Sequence, residues 1–381
     1  MTRVSSFRPV SVSSGNRRIS WDLVRGGCVV LVLLYHATYM SVVVHPELGP
    51  RRFVFPHQIG ASLLLVISAY FAAVTIGRGA LGRYWWGRIA RLLPPFLAAV
   101  VAIYFALRYL SPPGWFGPRF GDLAANLLML WNWKPAEFPF LDGSHWTIPL
   151  QLMAFTVAAL LYRSSWGHGR KFRIVMWAAL LVPLAQWPLR VAGPPEWYRV
   201  VVDGFGFHRW HLFVAGIAVR LWATKRLSTA EFVLLEVLCV TAHALHGAAV
   251  TPAGIKVEWG STIGIAIGIA VISLAAAGPD WNRFLPSFVQ RAITWFAGIS
   301  YGVFLIHQAI GYLVLHWLSG LGVDPLLQTA GMIAAGVVLG WALTRLVERP
   351  AHRFLMRGYD SWTARRRPDG EPSPVAAGKP G

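Results

Sequence analysis

The chain has 381 residues, of which 55% are hydrophobic and only 13% charged, with 19 Trp and 21 Phe. A soluble domain carries about 25% charged residues, so a soluble enzyme, a disordered chain and a disulfide scaffold are all excluded. The formal net charge of +19 would suit a nucleic-acid partner only if the basic residues formed one face or stripe. They stand instead in short blocks between long apolar runs, the pattern of a polytopic membrane protein.

A membrane helix needs about 20 mostly apolar residues to cross roughly 30 Å of hydrocarbon. Ten candidates follow in order, near 23–43, 55–76, 92–110, 145–162, 174–191, 204–222, 231–250, 259–277, 295–318 and 327–347. The sixth is the least regular, because Asp203, His208, Arg209 and His211 crowd its start. The apolar stretch at 121–133 is too short to span. It reads as an interfacial or re-entrant piece inside the long 109–144 connection, where Pro112, Pro113, Gly114, Gly117 and Pro118 make turns. The expected fold is therefore an all-α bundle of about ten transmembrane helices.

With the N-terminus inside, 26 of the 35 Lys and Arg fall on the cytoplasmic side, eight fall outside, and Arg209 lies within a span. This asymmetry predicts that both termini are cytoplasmic. Residues 1–18 are basic but have no apolar core, so they form no cleavable signal peptide. Residues 19–357 form one membrane domain, and 358–381, an Arg run followed by Pro, Gly, Ser and Ala, read as a disordered cytoplasmic tail. Cys28 and Cys239 both lie in apolar runs and suggest neither a disulfide nor a metal framework.

An ionisable residue within a span is expensive and is a functional hypothesis by default. The first span carries Asp22, Arg25 and His36. At about 100° per residue, Arg25 and His36 differ by a net rotation near 20° and Asp22 and His36 by about 40°, which places all three on one face. His36 is then about 16 Å deeper than Arg25. The plainer alternative is an Asp22–Arg25 pair that anchors the helix end, with a histidine hydrogen-bonded inside the bundle. Arg88 and Arg91 are i, i+3 neighbours at the mouth of the third span, suited either to clamping phosphates or to snorkelling. Further polar spots are the segments from Ser144 to Gln151 and from Ser300 to Gln308. His243 and His246 are also i, i+3, but no carboxylate or cysteine accompanies them, and they read as structural rather than as metal ligands.

Several segments resemble those of the membrane acyltransferase-3 family, ten-span O-acyltransferases of cell-surface polysaccharides, lipids and some antibiotics. "ISWDLVRGGCVVLVLLYHA" is similar to the family's opening Asp-x-x-Arg-Gly stretch with its Tyr-His. "GASLLLVISAYFA" resembles the second-span segment, and "YWWGRIARLLPPF" the Arg-x-x-Arg motif with its following proline. "HWTIPLQLMAF", "HLFVAGIA", "ISYGVFLIHQ" and "VERPAHRFL" resemble later motifs in the right order over residues 19–355. The resemblance implies a plasma-membrane enzyme with an acyl-CoA donor, acetyl-CoA expected, and a hydroxyl acceptor on a glycan, glycolipid or secreted small molecule. It implies no bound cofactor, metal or nucleic acid.

The resemblance casts His36 as the catalytic histidine, either general base or acyl carrier, with Asp22 and Arg25 as companions. Arg88, Arg91, Trp146, Gln151, Tyr301 and His307 become candidates for donor or substrate binding. Two positions depart from the family pattern: Ala69 where Gly is usual, and Gln151 where Glu is usual. A glutamine can hydrogen-bond but cannot ionise, so a positioning role is the one that survives at 151. The competing reading is a multi-pass transporter or flippase without acyl transfer.

Overall fold

A computed structural model describes residues 17–251 and 254–365. The molecule is an all-α bundle. In chain order come α1 (Ile19–Tyr35), α2 (Ser41–Val44), α3 (Gly60–Thr75), α4 (Leu81–Leu110), α5 (Phe120–Leu127), α6 (Thr147–Arg163) and α7 (Gly169–Val191). Then follow α8 (Glu196–Gly204), α9 (Trp210–Ala223), α10 (Thr229–Gly247), α11 (Trp259–Ala277), α12 (Ser287–Gly320), α13 (Pro325–Leu343) and α14 (Arg349–Arg365). A two-stranded antiparallel hairpin, β1 (Ala249–Thr251) and β2 (Gly254–Lys256), joins α10 to α11. The sequence pattern does not signal that hairpin.

Among the described residues, eight helical stretches are long and apolar enough to cross a membrane. A helix stands at each of the ten expected positions. The second and sixth are short: α3 has 16 residues and α9 has 14. The polar crowd at 203–211 explains the sixth, because His208 and Arg209 fall in a 3₁₀ turn and the helix starts only at Trp210. The 121–133 stretch is the short α5 followed by a 3₁₀ turn at Leu130–Asn132, and it does not span.

Two other boundaries move. Helix α4 begins at Leu81, so Arg88 and Arg91 lie inside it rather than ahead of it. At the far end, α13 passes through a π turn at Thr344–Glu348 into α14. Helix therefore continues through 358–365, where the sequence suggests a disordered tail. Trp86 Nε1 donates to the Leu355 carbonyl and Arg83 pairs with Asp360, and these contacts hold α14 against α4. The expectations for residues 1–16 and 366–381 lie outside the described residues.

Two large apolar cores, with three smaller clusters beside them, form the interior of the described residues. One gathers Leu65, Leu212, Leu235 and Ile265 from α3, α9, α10 and α11. The other gathers Phe96, Ile103, Ile148 and Leu305 from α4, α6 and α12. Helix α1 contributes to both, through Cys28 and Val32. Its N-terminus is capped from a distance, as the Asp280 carboxylate accepts from the Ile19 amide at 3.1 Å and the Ser20 amide at 2.8 Å. Helices α12 and α13 touch backbone to backbone at Gly302 and Gly340, where any Cβ would collide with the facing chain. Small residues at membrane helix contacts permit this approach.

Candidate active site

The elements that build the site are α1, α3, α4, α6 and α12, which meet along the seam between the two cores. Around them lies a cavity of about 530 Å³. Its basic wall carries Arg25, Arg78, Arg83, Arg88, Arg91 and His352, and among the described residues no Asp or Glu lines it. Its inner wall carries Ser68, Thr147, Gln151, Ser300, Tyr301 and Phe304. The long N-terminal extension of α4 supplies three of the arginines, which is why the early start of that helix matters.

These side chains differ in how tightly they are held. Arg88 Nη2 donates to the Phe71 carbonyl at 3.1 Å and to Thr75 Oγ1 at 2.7 Å, so it caps the C-terminal end of α3. Its guanidinium also lies over the Phe155 ring, 4.9 Å from the centroid. Arg91 is freer, with Glu348 3.8 Å away. Arg25 stands over Phe71 at 5.7 Å. Gln151 Oε1 accepts from Ser68 Oγ at 3.1 Å, and the Tyr301 hydroxyl donates to the Leu92 carbonyl at 2.8 Å.

Asp22 is not part of this wall. Its carboxylate pairs with Arg17 Nε at 2.5 Å, and Arg17 Nη2 donates to the Thr294 carbonyl. The expected Asp22–Arg25 ion pair is therefore not formed. Trp146 also stays outside the cavity lining, with Arg209 over its ring at 5.2 Å.

His36 lies beyond the cavity, at the first position of a π turn, His36–Met40. Such turns add a residue per turn and recur at functional sites. Here Thr38 and Ser41 hydroxyls donate to the Leu34 and Ala37 carbonyls, and Thr38 Oγ1 accepts from the Phe55 amide. The structure joins His36 to His307 of α12: His36 Nδ1 and His307 Nε2 are 2.8 Å apart. His307 Nδ1 faces the Val303 and Phe304 carbonyls at 3.2 and 3.0 Å.

Carbonyls only accept, so His307 Nδ1 must carry the proton. In neutral His307 the Nε2 atom then accepts, and His36 Nδ1 must donate to it. The chain of hydrogen bonds thus leaves the lone pair of His36 on Nε2. Gly336 of α13 lets this layer close, because a Cβ there would sit 3.0 Å from His307 Cβ.

Sequence reasoning misses two residues, one in this layer and one beside the arginines of the cavity. Asp142 is buried, its Oδ1 accepting from the Ser144 amide and hydroxyl and its Oδ2 from the Ala309 amide at 3.0 Å. It ties the α6 entry to the middle of α12, alongside His145, whose Nε2 donates to the Leu305 carbonyl at 2.8 Å. The available signal was a lone carboxylate in "FLDGSHW", next to a segment already marked as polar. Glu348, within "VERP", is the other: Thr344 Oγ1 donates to it and Arg91 faces it.

His243 and His246 meet His208 and His211 at the opposite end of the other core, with His211 Nε2 and His243 Nδ1 3.5 Å apart. Among the described residues no group of His, Cys, Asp or Glu has the arrangement to hold a metal ion.

A helical bundle with these spans and this basic cavity is a multi-pass membrane protein with a receptive, anion-attracting interior. The chain belongs to the acyltransferase-3 family, whose acyltransferase domain matches residues 18–345. It is accordingly a membrane acyltransferase. No curated protein and no solved structure matches it.

Proposed function

We propose that the protein is an O-acyltransferase of the plasma membrane, moving an acyl group, acetyl in the simplest case, from acyl-CoA to a hydroxyl of a glycan, glycolipid or secreted small molecule. One observation carries the reading: the hydrogen-bond chain from the Val303 and Phe304 carbonyls through His307 to His36, which leaves His36 Nε2 as an unprotonated base. Histidine held in one tautomer by its other nitrogen is a general base by design.

In the proposed reaction the acceptor oxygen attacks the thioester carbonyl carbon while His36 Nε2 removes the hydroxyl proton. The tetrahedral intermediate collapses by breaking the carbon–sulfur bond. The departing CoA sulfur takes the proton from His36, and the ester remains on the acceptor. His307 acts as a positioning residue, holding the tautomer and the ring plane.

The donor's phosphates belong in the basic cavity, whose wall carries Arg25, Arg78, Arg83 and Arg91; Arg83 pairs with Asp360 and Arg91 lies 3.8 Å from Glu348. Arginine forks suit phosphate oxygens. Arg25 and His36 are separated by about 16 Å of helix rise. An acyl-CoA matches this separation in kind, since its phosphates and its thioester lie at opposite ends of a long arm. Gln151 and Ser68 stand along that path as neutral positioning groups. The Lys and Arg distribution supports a cytoplasmic location for the cavity mouth and for both termini.

The test is label transfer from radiolabelled acetyl-CoA by the purified full chain, across a panel of hydroxyl acceptors. His36→Ala is expected to lower turnover by about 10²–10⁴-fold with the protein still folded. Full turnover in a folded His36→Ala variant would overturn the assignment. Because Nε2 is also a nucleophile, acid quenching at short times distinguishes the two roles: a labelled acyl-histidine identifies a carrier, and its absence during turnover identifies a base.

A further inference from the structure

On the outer side of the bundle, away from the active site, α12 and α13 separate. They are locked together at Gly302 and Gly340, and toward the Arg25 end they open a cleft of about 110 Å³ lined by Trp295, Ile299, Trp341, Thr344, Arg345 and Arg349. The π turn at Thr344–Glu348 carries Arg345, and Arg349 follows directly at the start of α14. Gly298 lies close to the cleft's arginine end. A Cβ there would lie 3.7 Å from Arg349 Nη2 and 4.0 Å from Arg17 Nη2.

Three observations define what this cleft suits. Its cations form no close ion pair: Glu348, the adjacent carboxylate, is within electrostatic range of Arg349 but is directed at Arg91 and Thr344. Among the described residues, neither Arg345 nor Arg349 has a carboxylate within ion-pair distance. Its walls are tryptophans that are 50% and 46% exposed, at Trp295 and Trp341, and Trp prefers the membrane–water interface. The cleft opens onto an apolar face, since Val338 and Leu346 on the same helical run are 61% and 72% exposed.

We propose that this cleft binds an anionic phospholipid. Its phosphate diester sits between Arg345 and Arg349, its headgroup region lies between the two Trp rings, and an acyl chain follows Val338 along α13. A phosphate oxygen satisfies the guanidinium fork in a bidentate manner, and basic pockets between membrane helices are suited to anionic headgroups. A soluble anion would use the arginines but gain nothing from the apolar face, so the lipid is the occupant that fits the whole site.

The test uses the purified full chain, exchanged into nanodiscs containing equal amounts of phosphatidylglycerol and phosphatidylcholine, with bound lipid measured by native mass spectrometry after mild release. The wild-type protein is expected to retain about one phosphatidylglycerol in preference to phosphatidylcholine, by about tenfold, as expected for charge-assisted contacts. The double substitution Arg345→Gln with Arg349→Gln is expected to abolish that preference. Equal retention of the two lipids by the wild-type protein would overturn the proposal, and this comparison needs no variant to fold. Unchanged preference in the folded double variant would overturn it too. Displacement of the lipid by millimolar inorganic phosphate, or by CoA, would also overturn it, and would assign the arginines to a soluble anion or to the acyl donor.

Discussion

Two histidine groups lie in this bundle, and they are built differently. In the pair of His36 and His307, hydrogen bonds run in one direction from carbonyl acceptors to a single free lone pair. In the cluster of His208, His211, His243 and His246 the rings touch, but the histidine–histidine hydrogen bond, His211 to His243, is long at 3.5 Å, and the Nδ1 atoms of His208, His211 and His246 have no hydrogen-bond partner. His208 Nδ1 lies 3.3 Å from Asp203 without the alignment of a hydrogen bond, while Asp203 itself pairs with Arg190. Arg209 sits beside the cluster with its own Nε unpartnered. The contrast teaches that the number of ionisable side chains does not define a site. What defines it is whether their partners force one protonation pattern.

The sharpest way to break this contrast is a matched pair of substitutions, His307→Gln and His243→Gln. Gln at 307 removes the fixed ring but keeps a hydrogen-bonding group near His36. It is expected to lower kcat by about 10–100-fold, in line with losses seen when the orienting partner of a functional histidine is removed, with the KM for acyl-CoA unchanged. His243→Gln is expected to stay within about twofold of wild type in both parameters, as substitutions outside a coupled network usually do. A comparable kcat loss in both variants would erase the distinction, and a rise in KM alone at 307 would return that residue to donor binding.

Asp142→Asn tests the anchor of the same layer. Asn can accept only through one oxygen, so its amide must face either the Ala309 amide or the Ser144 donors. A buried donor left unsatisfied costs about 1–3 kcal/mol. The variant is therefore expected to lose thermal stability on that scale, and activity with it, because α6 and the middle of α12 lose their shared acceptor. Asp142→Glu, which restores the charge at a longer reach, is expected to recover part of the stability. Thermal unfolding in detergent reads both. An unchanged midpoint in Asp142→Asn would detach this residue from the network.

Much of this architecture is legible in the residues themselves. A helix stands at each of the ten apolar runs, and among the described residues eight helical stretches are long and apolar enough to cross a membrane, as hydrocarbon thickness requires of a span. Helix geometry alone relates Arg25 to His36, and the structure sets Arg25 in the cavity wall and His36 beyond it. The partners were not legible. His307 stands 271 residues from His36, and the pairing depends on how α1 and α12 pack, which periodicity does not encode. Spacing offers an Asp22–Arg25 pair as the plainer alternative, whereas Arg17 folds back across the helix start and takes Asp22. Likewise the short α9 and the helical stretch 358–365 follow from tertiary contacts, the latter from α4 holding α14 through Trp86 and Arg83. Local pattern fixed where helices run; only packing decides which buried nitrogen faces which carbonyl.

If directed hydrogen bonds are what give a buried or capped charge its value, the effect should survive, reduced, at the edge of the bundle. Asp280 lies between α11 and α12, outside the spanning segments, and its carboxylate receives the Ser20, Ile19 and Trp281 amides. Partial burial pushes its carboxyl upward, but the hydrogen bonds led by Ser20 outweigh that and hold it below the ordinary value. A carboxyl lowered in the folded protein contributes stability that is present above its unfolded value and lost as pH falls through the folded one. Asp280→Asn is therefore expected to lower stability by about 1 kcal/mol near pH 7, the scale of a helix N-cap. The gap between variant and wild type should hold down to about pH 5 and then shrink below about pH 4, the ordinary carboxylate range. A gap that stayed constant to pH 3 would mean that the charge contributes nothing and that shape alone caps α1.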